Sequence, residues 1–445
     1  MQSQPSFFDI VIVGGGMVGA TLALALAKTS YKIALIEAVA PQQKTQPSFD
    51  DRCLALSKGS VNILQGLDLW DKLQPSATPI RKILVCDQGH FGFHRISAEK
   101  LNQPFLGQVI TSRRCGETFW QALKQPSNLS LFCPAKIVGL TQHDQHCEVR
   151  IEQETDTFLS ADKSSENLSI EKHQLQASIV IAADGAQSVT RKLTGIQESY
   201  EDYGQAAIIA NIQMQLPHQS LAIERFTKNG PVALLPLDNK MSLVWSVPTD
   251  QLSQFLAFEE TEFVQQLQAI VGQRMGRIER VGERVGYPLK LMKTESLFKG
   301  RVLLVGNASH GIHPIAGQGF NLGLRDVAWL TELLLEVPQQ LGSQCNHLSE
   351  PQCIDQFMQN YVSKRHKDIE RTIGFTDSLA RLFSNENSLL SQTRNLGLAA
   401  LSFMPMIEHW ISDTAMGLTP PVPRLACGES LDELIEQSLH YANRQ

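Results

Sequence analysis

The fold is decided by residues 9–37, which read DIVIVGGGMVGATLALALAKTSYKIALIE. An apolar run at 10–13 leads into glycines, an Ala/Leu-rich run follows at 20–28, and a second apolar run at 33–36 ends at Glu37. This order is typical of a strand, a glycine turn, a helix, a second strand and an acid. This order predicts a binding site for an adenine dinucleotide. The alternative is a strand-helix-strand crossover whose turn contains glycines but binds no ligand.

The three fingerprint glycines of this turn have separate tasks. Gly14 permits the tight turn, Gly16 lets a pyrophosphate approach the backbone, and Gly19 lets helix and strand pack closely. Free amides at the helix start are expected to hold the phosphate. Glu37 lies close to the position, about 20 residues past the glycines, where an acid accepts hydrogen bonds from a ribose.

Composition narrows the class of protein. A chain of 445 residues suggests two or three domains. Its net charge of -6 does not indicate a nucleic-acid-binding protein. The eight cysteines lack the paired spacing of a zinc site, so we expect reduced thiols in a cytosol and no metal. We expect no signal peptide and no membrane-spanning run.

The rest of the chain divides by its patterning. Residues 80–99 carry a hairpin signal, and short apolar runs across 206–247 indicate a largely antiparallel second sheet. Residues 55–73 and 113–123 have a helical period, the latter with Ser112 as its predicted cap. The polar residues 152–172 are interpreted as a solvated loop.

Two further turns follow apolar strands, at Asp184-Gly185 and at residues 306–326. Open α/β sheets bind ligands at the carboxyl ends of their parallel strands. A single site made of three distant turns is therefore the economical interpretation.

The later turns carry a family resemblance. Residues 184–191, DGAQSVTR, are similar to the DGxxSxxR motif of the single-component, FAD-dependent aromatic hydroxylases, and residues 300–310 and 313–326 resemble that family's second FAD signature. The resemblance runs from residue 9 to about residue 377. Paired histidines before Pro314, the GHFGF sequence at 89–93 and ERF at 224–226 resemble the ubiquinone-biosynthesis branch.

The resemblance implies an α/β fold. We expect a FAD-binding Rossmann-like domain of the aromatic hydroxylase type, an inserted, mainly antiparallel substrate domain and a helical C-terminal region. The FAD-binding domain would comprise residues 1–79, 106–187 and 286–345. The substrate domain would comprise 80–105 and 188–285, and the C-terminal region 346–445.

The resemblance also implies which residues bind the cofactor: Gly14, Gly16, Gly19, Glu37, Arg52, Gln108, Asp184, Gly306, Asn307, Pro314, Gly317, Gln318, Gly319 and Asn321. A surface salt bridge with Asp50 or Asp51 is an equal alternative for Arg52. Asn307 stands where the family usually has aspartate. We interpret it as a marker of the branch, and weakened FAD affinity is the alternative.

The function that the resemblance implies is hydroxylation of a polyprenyl-methoxyphenol ring in ubiquinone biosynthesis, using FAD, NAD(P)H and O2. The alternatives are another ring position of the same pathway, an FAD-dependent dehydrogenase or oxidase, and a non-catalytic scaffold in a biosynthetic complex. His313 is the candidate base, with a structural role equally open, and His310 is a weaker candidate. The protein would be cytoplasmic, with peripheral contact at the inner membrane face as an option. We expect the apolar stretch 396–406 to pack as a helix in the core, and contact with membrane or partner proteins is the alternative.

Overall fold

The computed structural model describes residues 6–41, 52–88, 93–156, 168–311, 317–340, 348–383 and 412–442. The strands in chain order are β1 Ser6–Val13, β2 Ile33–Ile36, β3 Cys53–Ser57, β4 Thr78–Ile80, β5 Lys82–Asp87, β6 Phe93–Ser97, β7 Gly107–Thr111, β8 Leu129–Phe132, β9 Ala135–Gln142, β10 Cys147–Asp156, β11 Leu168–Ala182, β12 Glu198–Met214, β13 Leu221–Thr227, β14 Gly230–Leu237, β15 Lys240–Pro248, β16 Ile278–Val281, β17 Val285–Thr294, β18 Phe298–Lys299, β19 Val302–Leu304 and β20 His310–Gly311. The helices are α1 Met17–Leu26, α2 Lys58–Gly66, α3 Trp70–Leu73, α4 Ser112–Ala122, α5 Val189–Thr194, α6 Leu252–Ala257, α7 Glu260–Val271, α8 Gln318–Gln340, α9 Pro351–Phe383, α10 Arg424–Cys427 and α11 Leu431–Ala442.

The first sheet has a parallel core in the order β19-β11-β1-β2-β8, with β18 antiparallel at its edge. The predicted strand, helix and strand of residues 9–37 are confirmed as β1, α1 and β2. Ile10 and Ile12 of β1 are fully buried, as is Leu22 of α1. Burial on both faces explains why these strands are continuous apolar runs rather than alternating ones.

The second sheet has the order β20-β17-β12-β15-β14-β13-β5-β6, with β16 paired to β12. The predicted hairpin and antiparallel sheet are confirmed, apart from one parallel pair, β13 with β5. The hairpin tip at 89–92 lies outside the described residues. The predicted domain limits stay a prediction, and the pairing of β17 with β12 favours adding residues 285–294 to the second sheet.

The loop predicted at 152–172 is wrong at both of its ends. Glu152–Asp156 continue β10 and pair with residues 168–172 of β11 in an antiparallel ladder, while 157–167 lie outside the described residues. Glu152 and Gln153 also pair with β9, so ladder hydrogen bonds rather than apolar side chains hold this end of the sheet, and its polar sequence was misleading.

Two further local predictions needed correction. Residues 53–57 form a strand paired with β7, so the helix predicted from residue 55 begins only at Lys58. The cap of α4 is Thr111, whose hydroxyl accepts a hydrogen bond from the Arg114 amide at 3.4 Å, and Ser112 is the first helical residue.

One cysteine differs from the expectation of reduced thiols. Cys353 is disulfide-bonded, so that expectation was wrong for this residue.

The long helices α8 and α9 are joined by buried charges. Asp326 of α8 accepts a hydrogen bond from the Arg365 Nε of α9 at 2.7 Å, and Asp368 pairs with both Arg365 and Arg325. Asp326 and Arg365 are both fully buried, so each charge depends on its partners. Within the described ranges, no helix combines the length and the apolar character needed to span a membrane.

Candidate active site

The three predicted turns meet at the carboxyl ends of three adjacent parallel strands. The Ala183 amide donates to the Val13 carbonyl at 2.7 Å, and the Val305 amide donates to the Ala182 carbonyl at 2.9 Å. These bonds tie the ends of β1, β11 and β19 together. The structure therefore confirms that the three motifs, separated by more than a hundred residues in sequence, share one site.

The glycine turn is packed so closely that side chains would not fit. A Cβ at Gly14, whose φ is +103°, would lie 2.5 Å from the Ala183 carbonyl oxygen. A Cβ at Gly19 would lie 1.9 Å from the carbonyl oxygen of Gly14. Gly16 begins α1 as its N-cap, without any side-chain cap. The start of α1 consequently presents its backbone amides, as an anion site requires.

Glu37 is buried at the end of β2 and organises the same turn. Its carboxylate accepts hydrogen bonds from the Gly15 amide at 2.5 Å and from the Val39 amide at 2.8 Å. Trp120 of α4 donates its indole N–H to the Gly15 carbonyl at 3.1 Å. Trp120 could not be predicted at this turn, because only the tertiary packing of α4 against α1 brings it there.

The second turn is fixed from within and from the third turn. Asp184 uses Oδ2 to accept from the amide and hydroxyl of Thr190, at 3.0 and 2.9 Å. Its Oδ1 is buried and has no hydrogen-bond partner among the described residues. The motif arginine, Arg191, is fully buried and donates to the carbonyls of Ala186 and Ala308, both at 2.8 Å. Arg191 therefore holds two turns together.

The third turn is held by residues of α8. The Gly306 amide donates to Asp326 Oδ2 at 2.8 Å. Asn321 accepts from the Ser57 amide at 2.9 Å and donates to the Ala55 and Gly317 carbonyls at 2.8 and 2.9 Å. Asn321 thus joins the start of α8 to β3. Asn307 of the same turn is exposed.

A cavity of about 1270 Å³ lies against all three turns. This volume exceeds the ~300–1,000 Å³ of ordinary small-molecule sites, so it has room for more than one ligand. Ten of the predicted cofactor-binding residues line it: Gly14, Gly16, Glu37, Arg52, Asp184, Asn307, Gly317, Gln318, Gly319 and Asn321. Three others, Gly19, Gln108 and Gly306, are not among its lining residues. Pro314 and the candidate base His313 lie outside the described residues.

The opposite wall of the cavity is one face of the second sheet. It is mainly apolar, with Ile83, Val85, Ile96, Ala222, Leu235 and Val244 among its residues, and it also carries Glu224 and His94. Sequence reasoning placed a second sheet here but did not identify this wall. Alternation along each strand shows which residues share a face, but only the pairing register aligns them across strands.

Two basic residues near the turns differ in their surroundings. The Arg52 guanidinium lies 5.0 Å from the centre of the Tyr287 ring and lines the cavity, while Asp50 and Asp51 lie outside the described residues. His310 is fully buried, with its Nδ1 2.7 Å from the Ser309 hydroxyl. Burial lowers the pKa of His310 to about 4. The His310 imidazole is therefore neutral near pH 7. His310 is not one of the residues that line the cavity.

The site fits FAD. The glycine turn has no room for a Cβ at Gly14 or Gly19, a carboxylate stands at the end of β2, and Asp184, which lines the cavity, has one buried oxygen without a hydrogen-bond partner among the described residues. These are the donors and acceptors that a pyrophosphate, a ribose and a ribityl chain require.

Comparison with known proteins agrees with this geometry. A family described as FAD binding domain matches residues 8–349. Ubiquinone hydroxylase UbiL of Rhodospirillum rubrum is 32% identical over 95% of this chain and 93% of its own, and 3-demethoxyubiquinol 3-hydroxylase of Escherichia coli is 30% identical over 94% and 100%. The crystal structure of p-nitrophenol 4-monooxygenase PnpA from Pseudomonas putida is similar with a TM-score of 0.71, at 16% identity, over 94% of this chain and 100% of its own.

Proposed function

Because this chain belongs to the FAD binding domain family, as an FAD-dependent aromatic monooxygenase, we propose that it hydroxylates the ring of a polyprenyl-methoxyphenol in ubiquinone biosynthesis. One observation carries the proposal: a single cavity joins the dinucleotide turns to an apolar sheet face. The names of the two hydroxylases similar over nearly the whole chain support the choice of pathway. The proposed reaction consumes the phenol, O2, NAD(P)H and a proton, and releases the hydroxylated ring, NAD(P)+ and water.

FAD, when bound, would carry electrons from NAD(P)H to O2 and deliver one oxygen atom to the ring. Gly14, Gly16 and the start of α1 would hold its pyrophosphate, and Glu37 its adenosine ribose. The unpartnered Oδ1 of Asp184 would accept a hydrogen bond from a hydroxyl of the ribityl chain. The amides at the start of α8, beside Gly317, would face the flavin's anionic edge.

The protein's contribution to the chemistry is a dry, positioned pocket. The apolar wall of the second sheet would exclude water from the ring and accommodate the beginning of the isoprenoid tail. The cytoplasmic location, contact with the inner membrane face and membership of a biosynthetic complex stay predictions. The stretch 396–406, predicted to pack in the core with membrane or partner contact as the alternative, lies outside the described residues.

A labelling experiment tests the reaction class. We expect FAD-loaded protein given NAD(P)H, labelled dioxygen and 2-geranyl-6-methoxyphenol to form a product carrying one labelled oxygen atom, measured by mass spectrometry. NAD(P)H oxidation without labelled product would favour a dehydrogenase or oxidase. A different ring position in the labelled product would favour the sibling reaction. Protein that takes up no FAD would contradict the proposal altogether.

Replacing Glu37 by alanine tests the ribose contact. A hydrogen bond to a charged group contributes about 1.5–3 kcal/mol, so we expect the Kd for FAD to rise roughly 10- to 150-fold. Glu37→Gln keeps a hydrogen-bond acceptor, so its Kd for FAD should rise less than that of Glu37→Ala. Glu154→Ala, which removes an exposed carboxylate of β10 that pairs with Lys136 at 3.4 Å, is the matched control. Fluorescence titration of FAD measures all three, and an unchanged Kd in Glu37→Ala would remove Glu37 from the site.

A further inference from the structure

One continuous row of side chains crosses the second sheet and faces the cavity. Strand pairing places His94 opposite Val85, Val85 opposite Glu224, and Glu224 opposite Ala233. The row continues through Val244 and Ile209, and all six residues line the cavity. Adjacent strands lie about 4.8 Å apart. Glu224 therefore sits near the middle of the wall, with His94 two strands away at its edge.

Glu224 is surrounded by apolar residues of this wall. The neighbouring row on the same face contains Ile96, Ile83 and Ala222. Among the described cavity-lining residues of the second sheet, Glu224 is the only acid. Although the residue keeps some exposure toward the cavity, its Oε1 is completely buried and has no hydrogen-bond partner in the described parts of the chain.

Three other buried acids have arginine or backbone amide partners. Asp326 pairs with Arg365, Asp368 pairs with two arginines, and Glu332 accepts from the Leu425 amide at 2.9 Å. A carboxylate oxygen without a partner is costly to bury, so a fold that needed only packing would place an apolar residue at Glu224. Unsatisfied, perturbed acids that face a cleft are typical of functional groups.

We propose that the Glu224 carboxylate receives the phenolic hydroxyl of the aromatic substrate and accepts its proton, an inference that rests on the proposed function. The phenolic O–H bond breaks, the proton joins a Glu224 oxygen, and the electron pair stays on the substrate oxygen. No electrons are exchanged in this step. The phenolate is the more electron-rich ring and therefore the better acceptor of an electrophilic oxygen atom.

The charge environment of Glu224 suits this role. Burial raises the pKa of Glu224 to about 7, which matches a base that works near neutral pH. Other titratable or charged residues line the remaining walls or the edge of the cavity: Glu37, Arg52, Cys53, His94, Lys136 and Asp184. On the sheet itself, Cys86 and Arg225 alternate to the opposite face, and Asp87 lies two residues beyond Val85 on β5, outside the cavity lining.

Glu224→Gln removes proton acceptance while keeping size and a carbonyl acceptor. We expect the wild-type rate of hydroxylation of 2-geranyl-6-methoxyphenol to rise with pH through about 7, because Glu224 must be deprotonated to act. In Glu224→Gln the rate should fall about 100-fold or more and lose this pH step. FAD affinity should stay within about twofold in the variant. Glu279→Gln, an exposed acid of β16 on the same sheet, should match the wild type in rate and in pH profile.

Binding gives a readout that is independent of turnover. We expect perturbation of the flavin absorbance spectrum to show at least tenfold tighter binding of the phenol than of its methyl ether, and Glu224→Leu should lose this preference. A wild-type pH step and rate retained in Glu224→Gln, or no preference for the phenol in the wild type, would overturn the assignment of Glu224. Absence of hydroxylated product, with a phenol preference that depends on Glu224, would overturn the proposed function while supporting the role of this side chain.

Discussion

Replacing Gly19 by alanine is expected to abolish retention of FAD. The added Cβ would lie 1.9 Å from the Gly14 carbonyl oxygen and 3.1 Å from the Ala183 Cβ. Both neighbours belong to the turns that line the cavity, so neither can move without deforming the site. Helix α1 is itself buried and cannot shift outward freely. We expect a loss of about 3 kcal/mol in unfolding free energy, at the upper end for overpacking, and at least about 100-fold weaker FAD binding.

Gly374→Ala is the matched control for this substitution. Gly374 lies in α9, and a Cβ there would meet nothing within 4 Å. Because alanine favours a helix over glycine, we expect this variant to be neutral or about 0.5–1 kcal/mol more stable. Urea unfolding and fluorescence titration of FAD measure both variants. Wild-type FAD affinity in Gly19→Ala would show that the turn does not hold the cofactor as inferred.

Replacing Asp326 by alanine is expected to lower the free energy of unfolding by about 3–5 kcal/mol, the range for removing one partner of a buried ion pair. The wild-type cluster balances Arg325 and Arg365 against Asp326 and Asp368. The change leaves two buried cations facing one carboxylate. It also removes the acceptor of the Gly306 amide, so we expect weaker FAD binding as a second effect.

A double variant separates uncompensated charge from lost packing. Asp326→Ala combined with Arg365→Met removes both partners, so it should be more stable than Asp326→Ala alone. Glu370→Ala, which removes an exposed acid 3.4 Å from His366 on the same helix, should change stability by less than about 0.5 kcal/mol. If the double variant is no more stable than the single one, charge imbalance is not the cause of the loss.

The sequence predicted the first sheet and its turns well because their signals are local. A strand, a glycine turn and a helix each bias their own residues, so residues 9–37 needed no information from elsewhere. The wall of the second sheet was not predictable in the same way. Glu224 meets Val85 through a parallel pairing across more than a hundred residues, and nothing in either strand specifies that register.

The smaller errors of prediction also concern contacts between residues that are distant in sequence. The strand segments 152–156 and 168–172 are held by ladder hydrogen bonds and are polar in sequence, so their composition resembled a loop. The role of Arg191 was hidden because its partner, the Ala308 carbonyl, belongs to a turn that joins it only in the folded protein. Trp120 was missed for the same reason.

The contact of Asp326 with both Gly306 and Arg365 has a consequence for the order of events during synthesis. The turn at Gly306 leaves the ribosome before α9 does, and Asp326 gains its arginine only after α9 has emerged. A nascent chain that stops short of α9 carries all three cofactor motifs but leaves the carboxylate of Asp326 without its cation. FAD binding is therefore expected to wait until α9 has been synthesised, so products truncated before α9 should be released without FAD.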